Sequence, residues 1–470
     1  MVAEKLRLLE GSRDILDFAT ATGMSFWPLV RTKFFKMVRQ QLVSGTADVS
    51  SPQYNGTSRM VKLRQVLWEL PGAMMSAYPS REIAFVPYPL WVKTASGSPV
   101  EAALTEQIHY FAERALVVEE HEANIALSDP AIKTVNVYSL LKMLRLSSLF
   151  TPNSFLEKIE TFCDFMVDRA QRELSVVIPP EHVSHFKKFA RCEITNADNK
   201  RRLFRRLWKK VSPKVIFYSN GMYGAESPSI IAARELGIVT VECQHGMVYN
   251  NHYAYQCSDV MLQDRRFTDL YPEYCLTFGP WWSEKIQIPA KKRTVGYPYL
   301  DRKVAEHRAT EKKVIFFVPT GKTYQAFFDL ACTVAKAFPN EHCVIRPHPV
   351  ERELAARLAP GVQDILETDL SPSEYTMLAR AHTVVGDMST VLFTAIPFVD
   401  NIFSWLSPAT EAFLGGDNPF TTFKSVDELF QLLEKRSSSS SCAELQSKLF
   451  VDGWKNNYNK FLLEDVGLSE

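Results

Sequence analysis

The sequence predicts an α/β protein made of two domains, each built on a parallel sheet. Short β-branched runs such as Val239–Cys243 and Lys313–Pro319 alternate with helical segments from residue 83 onward. Such runs are typical of strands that helices cover on both faces. The alternation falls into two blocks separated by the charged stretch Asp301–Lys313, and 470 residues exceed the usual length of one domain. Two domains follow from these observations.

We expect four parts along the chain. These are a helical N-terminal extension over 1–60, a first α/β domain over 61–300, a second over 301–450 and a C-terminal helix over 451–470. Residues 1–43 are predicted to be helical with a break at Pro28, and Arg31 is expected on a cationic face. The final helix is predicted to run from Cys442 to Leu463.

Composition excludes several protein classes. Hydrophobic residues make up 46% and charged residues 23% of the chain, and the net charge is +1, so nothing indicates a nucleic-acid partner. The eight cysteines form no C-x-x-C pair, which favours reduced thiols over a zinc site or a disulfide framework. The chain has no uninterrupted apolar run of about 18 residues and starts with charged residues rather than a signal sequence. We therefore expect a cytoplasmic location.

Several nucleotide-binding and catalytic motifs are missing. The sequence has no G-x-x-x-x-G-K-[ST], no strand-linked G-x-G-x-x-G and no G-x-S-x-G. It also has no Asp-x-Asp, so we expect chemistry without a metal or another cofactor. Pro319–Thr323 resembles only the end of a P-loop, but Thr320 and Lys322 within it could still contact a phosphate.

A cluster of polar residues follows two predicted strands of the second domain. Arg346 and His348 come after the run Cys343–Ile345, while Asp387, Ser389 and Thr390 come after Thr383–Val385. Ligands of open parallel sheets bind beyond the carboxyl ends of the strands, and a cation, an imidazole and hydroxyls suit an anionic group such as a nucleotide phosphate. The alternative is a packed loop histidine and an ordinary helix cap.

His245 holds the corresponding position in the first domain, directly after the strand Val239–Cys243. An imidazole with an ordinary pKa near 6.5 suits general-base catalysis at neutral pH. Glu242 is a second candidate for the base, although the alternation of side chains could point it into a neighbouring layer. His252 and Asp264 are weaker candidates. Three further residues are predicted beside the base on the same sheet edge, namely Asn220, Gln244 and Gly246. A loop histidine without a catalytic role is an equally open interpretation.

The stretch Asn199–Val211 is the most basic in the chain. Its apolar and cationic residues separate onto two faces of a predicted helix. This helix could bind the anionic inner face of a membrane or an acidic polymer, or it could simply present a solvated face.

Three motifs together carry a resemblance to a known family. They are Gln244-His245-Gly246, Arg346-Pro347-His348-Pro349 and Gly386-Asp387-Met388-Ser389-Thr390. The chain resembles the GT-B glycosyltransferases of bacterial surface polysaccharide synthesis, in particular the capsule-polymer transferases, which include polysialyltransferases and CDP-glycerol glycerophosphotransferases. The resemblance implies two Rossmann-like domains that face each other across a cleft. It extends over about residues 213–400.

The resemblance also implies functions for both domains. His348 and Ser389-Thr390 would bind the phosphate of a nucleotide-activated donor of the CMP/CDP or UDP type, and His245 would activate the hydroxyl of an oligosaccharide or lipid-linked glycan acceptor. The acidic base motif of the polysialyltransferases is absent, so the donor is left open. Two alternatives are a nucleotide-sugar 2-epimerase on the same fold and a non-catalytic glycan-binding assembly subunit.

Overall fold

The computed structural model describes residues 2–44, 79–88, 92–93, 99–120, 131–147, 150–307, 311–321, 323–407, 410–411, 414, 416, 418–435 and 441–469. Two parallel sheets organise these residues, and helices cover both faces of each sheet. The predicted α/β fold with two parallel-sheet domains is confirmed. The predicted domain boundaries themselves stay predictions.

The described part of the first sheet has the order β5-β4-β1-β6-β7-β8-β9, with every neighbouring pair parallel. Its strands, with the small antiparallel pair β2-β3, are β1 Ile83–Val86, β2 Val92–Lys93, β3 Pro99–Val100, β4 Ala115–Glu119, β5 Lys133–Asn136, β6 Val215–Tyr218, β7 Val239–Cys243, β8 Tyr274–Thr277 and β9 Lys291–Thr294.

The second sheet has the order β12-β11-β10-β13-β14-β15 in the described residues, and it is also parallel throughout. Its strands are β10 Val314–Val318, β11 His342–Ile345, β12 Leu366–Thr368, β13 Ala381–Gly386, β14 Asn401–Trp405 and β15 Thr421–Phe423.

Helices connect most of the strands. The described α-helices are α1 Val2–Leu8, α2 Phe26–Ser44, α3 Thr105–Tyr110, α4 Tyr138–Ser147, α5 Asn153–Leu174, α6 Pro180–Val211, α7 Ser227–Arg234, α8 Asp259–Leu262, α9 Arg265–Thr268, α10 Pro280–Lys285, α11 Pro298–Glu306, α12 Tyr324–Ala337, α13 Arg352–Leu358, α14 Tyr375–Arg380, α15 Thr390–Ala395, α16 Val426–Lys435, α17 Ser441–Leu449 and α18 Trp454–Phe461.

Two helix predictions are wrong in detail. Pro28 does not break a helix but lies in the first turn of α2, where a missing backbone N–H is tolerated. The predicted helix from Cys442 to Leu463 is two helices, because Gly453 precedes α18 with φ +73° in the left-handed region. After this break α18 packs on the first sheet through Tyr458 and Phe461, and the Tyr458 hydroxyl accepts a hydrogen bond from Gln107 Nε2 of α3 at 2.9 Å.

The basic stretch 199–211 forms the last part of α6. Its apolar residues Phe204, Leu207 and Trp208 are buried against the first sheet, in a cluster that also contains Ile216. Arg201 and Arg205 both pair with Glu235. The apolar side of this helix is therefore core, and only its cationic side faces outward.

Arg31 belongs to α2. It was expected on a cationic surface, but its side chain is fully buried. Its Nε donates to Glu10 Oε1 at 2.6 Å, and both partners are 0% exposed. The same guanidinium donates to the carbonyl oxygens of Tyr253 at 2.9 Å and Gln256 at 2.6 Å. Burial lowers the pKa of Arg31, but the charge and hydrogen bond of Glu10, together with the effects of Cys257 and Tyr271, outweigh it, and the pKa is raised. The ion pair ties the N-terminal helices to the segment 253–256 of the first domain.

We predict that Arg31→Met lowers the free energy of unfolding by roughly 3–5 kcal/mol, because it leaves Glu10 buried without its partner. Urea unfolding measures the loss. The double variant Arg31→Met/Glu10→Gln should recover part of it, since no buried charge remains. Arg13→Ala is the matched control: Arg13 also contacts a carboxylate, at 3.9 Å from Asp264, but its side chain is 54% exposed. Equal losses in Arg31→Met and Arg13→Ala would contradict the prediction.

Candidate functional site

The first cluster of polar residues lies at the carboxyl edge of the first sheet. Register places Val86 of β1 beside Tyr218 of β6, and Tyr218 beside Glu242 of β7, so the residues that follow these strands meet. Ser219 joins two strand ends, because its hydroxyl accepts a hydrogen bond from the backbone N–H of Tyr88 at 2.8 Å. This edge carries the predicted base.

Glu242 lies under the surface of this cluster, with 0% exposure. Its carboxylate accepts hydrogen bonds from the Tyr255 hydroxyl at 2.6 Å and from the Gly221 N–H at 2.6 Å. Burial raises the pKa of Glu242 to about 8, although these hydrogen bonds and one from Met222 favour the charged form. A Cβ atom on residue 221 would lie 3.0 Å from Glu242 Oε2 and 2.8 Å from Pro272 Cγ, so glycine permits this close approach.

His245 lies above Glu242, and its side chain is 22% exposed. Its Nδ1 is 3.9 Å from Glu242 Oε1, and its Nε2 is 3.4 Å from the Tyr223 hydroxyl. The same hydroxyl is 3.2 Å from Nε2 of His252. Burial lowers the pKa of His245 to about 4 and that of His252 to about 3, so both imidazoles are neutral at neutral pH. His245 is thus partly exposed, as are Tyr223 and His252, while Glu242 lies fully buried next to it.

The other predicted residues of this edge have separate positions. Gln244 is 1% exposed, and its amide bonds the Gly246 carbonyl at 2.8 Å and the Phe278 N–H at 2.9 Å, which fixes the loop that carries His245. Gly246 has open space around its Cα. Asn220 precedes a 3₁₀ turn, and its side chain makes no capping hydrogen bond. Asp264 caps α9 by accepting from Arg266 N–H at 2.9 Å.

The second cluster lies at the carboxyl edge of the second sheet. Val318 of β10 pairs with Gly386 of β13, which places Thr320 and Asp387 side by side. Asp387 is 0% exposed, and its carboxylate accepts from the Thr320 N–H at 3.1 Å, the Thr320 hydroxyl at 2.8 Å and the Thr323 hydroxyl at 2.8 Å. Its carboxylate therefore holds the loop after β10.

His348 is exposed and lies against that loop. A Cβ atom on Gly321 would be 3.1 Å from His348 Nδ1, and Nδ1 also accepts from the Val350 N–H at 3.4 Å. Ser389 caps α15 by accepting from Val391 N–H at 3.3 Å, and Thr390 is exposed at the start of this helix. The structure thus brings Thr320, His348 and Asp387 together. Lys322 lies outside the described residues.

Arg346 has a different environment from the one that its motif suggested. Its guanidinium donates to Asp369 Oδ2 at 2.6 Å and to the Ser371 hydroxyl at 3.2 Å, and its side chain is 14% exposed. A second nitrogen lies 3.9 Å from Glu374. Arg346 therefore joins β11 to the segment after β12, and these contacts occupy much of its hydrogen-bonding capacity.

Aromatic contacts connect the two domains. Trp282 of α10 packs on Phe393 of α15 with ring centroids 5.1 Å apart, and Tyr299 packs on Tyr375 at 6.1 Å. The pKa of Tyr297 is raised by burial and by nearby groups that include Glu101 of the first domain and Glu374 of the second. Trp282 lies on the helix after β8 and Phe393 on the helix after β13, so the two domains touch through helices that follow the carboxyl ends of these strands.

Within the described residues, no helix is long and apolar enough to cross a membrane. The same part of the chain has no group of three or more His, Cys, Asp or Glu side chains arranged to bind a metal ion. Chemistry without a metal stays a prediction.

Sequence reasoning missed several residues of the first cluster. Tyr223, Ser219 and Tyr255 were not predicted, and neither was Glu101, which is 4% exposed near Ser219 and whose pKa burial raises to about 7. The stretch 249–255 contains three tyrosines and one histidine, and it follows a predicted strand end. This composition was the available signal for Tyr255, but nothing local indicates its bond to Glu242.

We predict that Glu242→Gln changes the pH dependence of stability. The folded-state pKa of about 8 lies above the ordinary value of 4.5, so the stabilisation by protonated Glu242 is complete below pH 4.5 and is lost as the pH rises towards 8. The isosteric amide does not titrate. The free energy of unfolding should therefore fall less from pH 5 to pH 8 in the variant than in the wild type, by about 1.4 kcal/mol for each unit of pKa shift.

Urea unfolding at pH 5, 6.5 and 8 measures this difference. Glu444→Gln is the control, because Glu444 is exposed on α17 beside Lys448 and should follow the wild-type profile. Parallel pH profiles for the wild type and Glu242→Gln would contradict a raised pKa at this position.

Comparison with known proteins shows that this chain is similar to several of them in fold. No protein-family model matches the chain, and no curated protein matches it significantly. A protein assigned as a UDP-N-acetylglucosamine 2-epimerase from Listeria monocytogenes superposes with a TM-score of 0.50 at 11% identity, over 83% of this chain and 97% of that chain. The UDP-GlcNAc 2-epimerase from Neisseria meningitidis bound to UDP-GlcNAc gives 0.49 at 11% identity, over 81% and 99%.

The wall teichoic acid polymerase TagF gives a TM-score of 0.43 at 11% identity, over 87% of this chain and 99% of that chain. The likeness to the Listeria protein shows the fold. The chain therefore has the two-domain α/β fold of that protein.

Proposed function

We propose that this protein is a nucleotide-sugar-dependent glycosyltransferase of the GT-B type. It moves a sugar, or a polyol phosphate, from a nucleotide-activated donor to a hydroxyl of a bacterial surface polysaccharide or a lipid-linked glycan. The observation that carries the proposal is the accessible neutral imidazole of His245 at the carboxyl edge of one sheet, with the Thr320, His348 and Asp387 cluster at the carboxyl edge of the other. Ligands of parallel sheets bind at such edges.

In this proposal His245 acts as the general base. The acceptor O–H bond breaks, its proton passes to an imidazole nitrogen, and the oxygen forms a new bond to the donor carbon or phosphorus. The bond from that atom to the nucleotide phosphate breaks, and the nucleotide leaves with the electron pair. Glu242 is fully buried with both oxygens hydrogen-bonded, which supports a role in positioning His245 rather than in removing the proton.

The donor phosphate would bind at the second cluster. His348 and Thr390 are exposed there, and Asp387 keeps the Thr320 loop in place from beneath. Ser389 and Lys322 complete the donor-binding set of the proposal. The leaving group is anionic, and hydrogen-bond donors at its position stabilise the charge that develops on it without a metal. A nucleotide of the CMP/CDP or UDP type is the proposed donor. Arg346 is assigned a structural role instead, in which it joins β11 to the segment after β12.

Epimerisation of a nucleotide sugar is the second candidate. The buried carboxyl groups of Glu101 and Glu242 favour it, because burial raises their pKa values to about 7 and about 8 and such groups exchange protons near neutral pH. An epimerase needs no acceptor. Incorporation of solvent deuterium into the nucleotide sugar, without release of nucleotide, would identify this activity.

A third possibility is a glycan-binding subunit without turnover, with the cationic side of α6 as its surface. Because the apolar side of α6 is core, contact with the inner face of a membrane would be electrostatic rather than insertive. A cytoplasmic protein that binds this face peripherally fits the proposed glycan acceptor. Binding of glycan or anionic vesicles without donor turnover would favour this function.

We predict that one class of nucleotide raises the melting temperature of the wild type but not that of His348→Ala. Thermal shifts with CMP, CDP, UDP, GDP and their linked sugars test this, and the expected stabilisation is about 2.7 kcal/mol at a hundredfold excess over Kd. His342→Ala is the matched control, since His342 lies at the opposite end of β11 and pairs with Glu367 at 2.9 Å. Equal shifts in all three proteins would remove His348 from the site.

We predict that His245→Ala lowers kcat by roughly 10²–10⁴ because it removes the base. The rate of nucleotide release with a glycan acceptor measures this loss. His185→Ala, an exposed change on α6, should keep wild-type activity. Near-normal release by His245→Ala would exclude its role as the base.

A further inference from the structure

The N-terminal helix α2 brings a second arginine, Arg39, to the first cluster. Arg31, Phe35 and Arg39 follow each other at intervals of four residues and therefore share one face of this helix. That face lies along the loop that carries His252. The Phe35 ring centroid is 6.4 Å from that of Tyr253, and the guanidinium carbon of Arg39 is 5.9 Å from the same Tyr253 centroid. Two guanidinium groups of α2 therefore reach this loop.

The two arginines differ in their partners. The guanidinium of Arg31 is fully buried, and Glu10 and backbone carbonyl oxygens satisfy its donors. Arg39 is partly exposed, and within the described residues no carboxylate or other acceptor hydrogen-bonds its guanidinium. A guanidinium presents its N–H donors in a fixed fork that matches the paired oxygens of a carboxylate or a phosphate. Among the described residues, Arg39 therefore keeps donors for a ligand that Arg31 has already used.

Aromatic rings connect Arg39 with His245, and we call these residues the acceptor row: Arg39, Tyr253, His252, Tyr223 and His245. The ring of Tyr253 lies against that of His252, with centroids 5.7 Å apart and an angle of 29° between the planes. Nε2 of His252 is 3.2 Å from the Tyr223 hydroxyl, and this hydroxyl is 3.4 Å from Nε2 of His245. All five side chains of the row are partly exposed. Ligand sites combine aromatic side chains with a few polar or charged groups that fix orientation. Because sugar rings pack on aromatic rings, the acceptor row suits a chain of sugars.

The charge of Arg39 acts on the other groups of the acceptor row. Burial chiefly lowers the pKa of His252, to about 3, with smaller contributions from His245 and Arg39. Burial raises the pKa of Tyr253, and the charge of Arg39 opposes this rise. Both histidines are uncharged at neutral pH, so Arg39 is the charged member of the row. An anionic group of a ligand is therefore attracted to the Arg39 end, while the His245 end suits an uncharged hydroxyl.

We propose that Arg39 binds an oxyanion of the acceptor, so that the acceptor is an acidic glycan that lies along the acceptor row with its attacking hydroxyl at His245. A carboxylate and a phosphodiester both offer oxygens that a guanidinium binds with charge-assisted hydrogen bonds. The position of the attacking hydroxyl rests on the proposed function of His245, whereas the binding of an acidic glycan at Arg39 does not. Arg39 touches neither the reacting atoms nor the donor, and it determines specificity by selecting acidic over neutral acceptors.

Binding to immobilised oligosaccharides of defined charge tests the proposal without any donor. Tetragalacturonate supplies carboxylates, an oligomer of glycerol phosphate supplies phosphodiesters, and maltotetraose is uncharged. We expect the wild type to bind an acidic oligomer and not maltotetraose, and the oligomer that binds identifies the anion. Arg39→Gln should lower this affinity about tenfold or more, because it removes a charge-assisted hydrogen bond. Lys36→Gln is the matched control, since Lys36 is an exposed cation on the same helix, and it should change the affinity less than about twofold.

A second variant separates binding from folding. Arg39→Lys keeps the cation beside Tyr253 but lacks the fork of donors, so it should fold and bind the acidic oligomer with intermediate affinity. This variant decides the question if Arg39→Gln does not fold. Equal losses in Arg39→Gln and Lys36→Gln, wild-type affinity in Arg39→Lys, equal binding of acidic and neutral oligomers, or no binding at all would overturn the proposal.

The proposed function can fail separately. If an acidic oligomer binds through Arg39 but no donor releases its nucleotide in the presence of that oligomer, the chain is not a transferase, although the Arg39 site exists. If nucleotide is released equally well with neutral and acidic acceptors, the transferase stands and the Arg39 site does not.

Discussion

The buried ion pair between Arg31 and Glu10 is the interaction on which the first cluster depends. A charged guanidinium is stable inside a protein only when its donors are satisfied, and here a carboxylate and the carbonyl oxygens of residues 253 and 256 satisfy them. The N-terminal helices thereby hold a loop that is more than 200 residues away in the chain. This loop supplies His252 and Tyr255, and Tyr255 bonds Glu242 beneath the proposed base.

Burial gives this cluster an unusual electrostatic character. It keeps Glu242 protonated through neutral pH and keeps His245 and His252 uncharged, so the three groups carry no net charge at pH 7. These uncharged groups suit a neutral acceptor hydroxyl, and the proposed anionic donor phosphate would bind at the other sheet. His245 with a pKa of about 4 is a weak base in the free protein. The proposed mechanism therefore depends on alignment more than on basicity.

Much of the candidate site could be predicted from the sequence, because its residues follow apolar runs that end at polar clusters. His245, His348 and Asp387 lie at carboxyl ends of parallel strands, as those runs indicated. The roles of some neighbours could not be predicted. Gln244 and Arg346 belong to the same motifs, but their side chains bond other protein groups. Gln244 bonds Phe278 and Arg346 bonds Asp369, and each of these partners directly follows another strand. A motif shows which residues are near a ligand site but not which way each side chain turns.

The sequence by itself determined the class of fold, the positions of most strands and the edge of each sheet at which polar residues gather. The reason is that strand periodicity and strand ends are local properties of the chain. Only the tertiary structure decided that Arg31 is buried, that Glu242 lies under His245 and that Tyr223 joins two histidines. The first and third depend on contacts between residues further apart in the chain, and the second on burial by other segments, which also moves the pKa values away from their ordinary range.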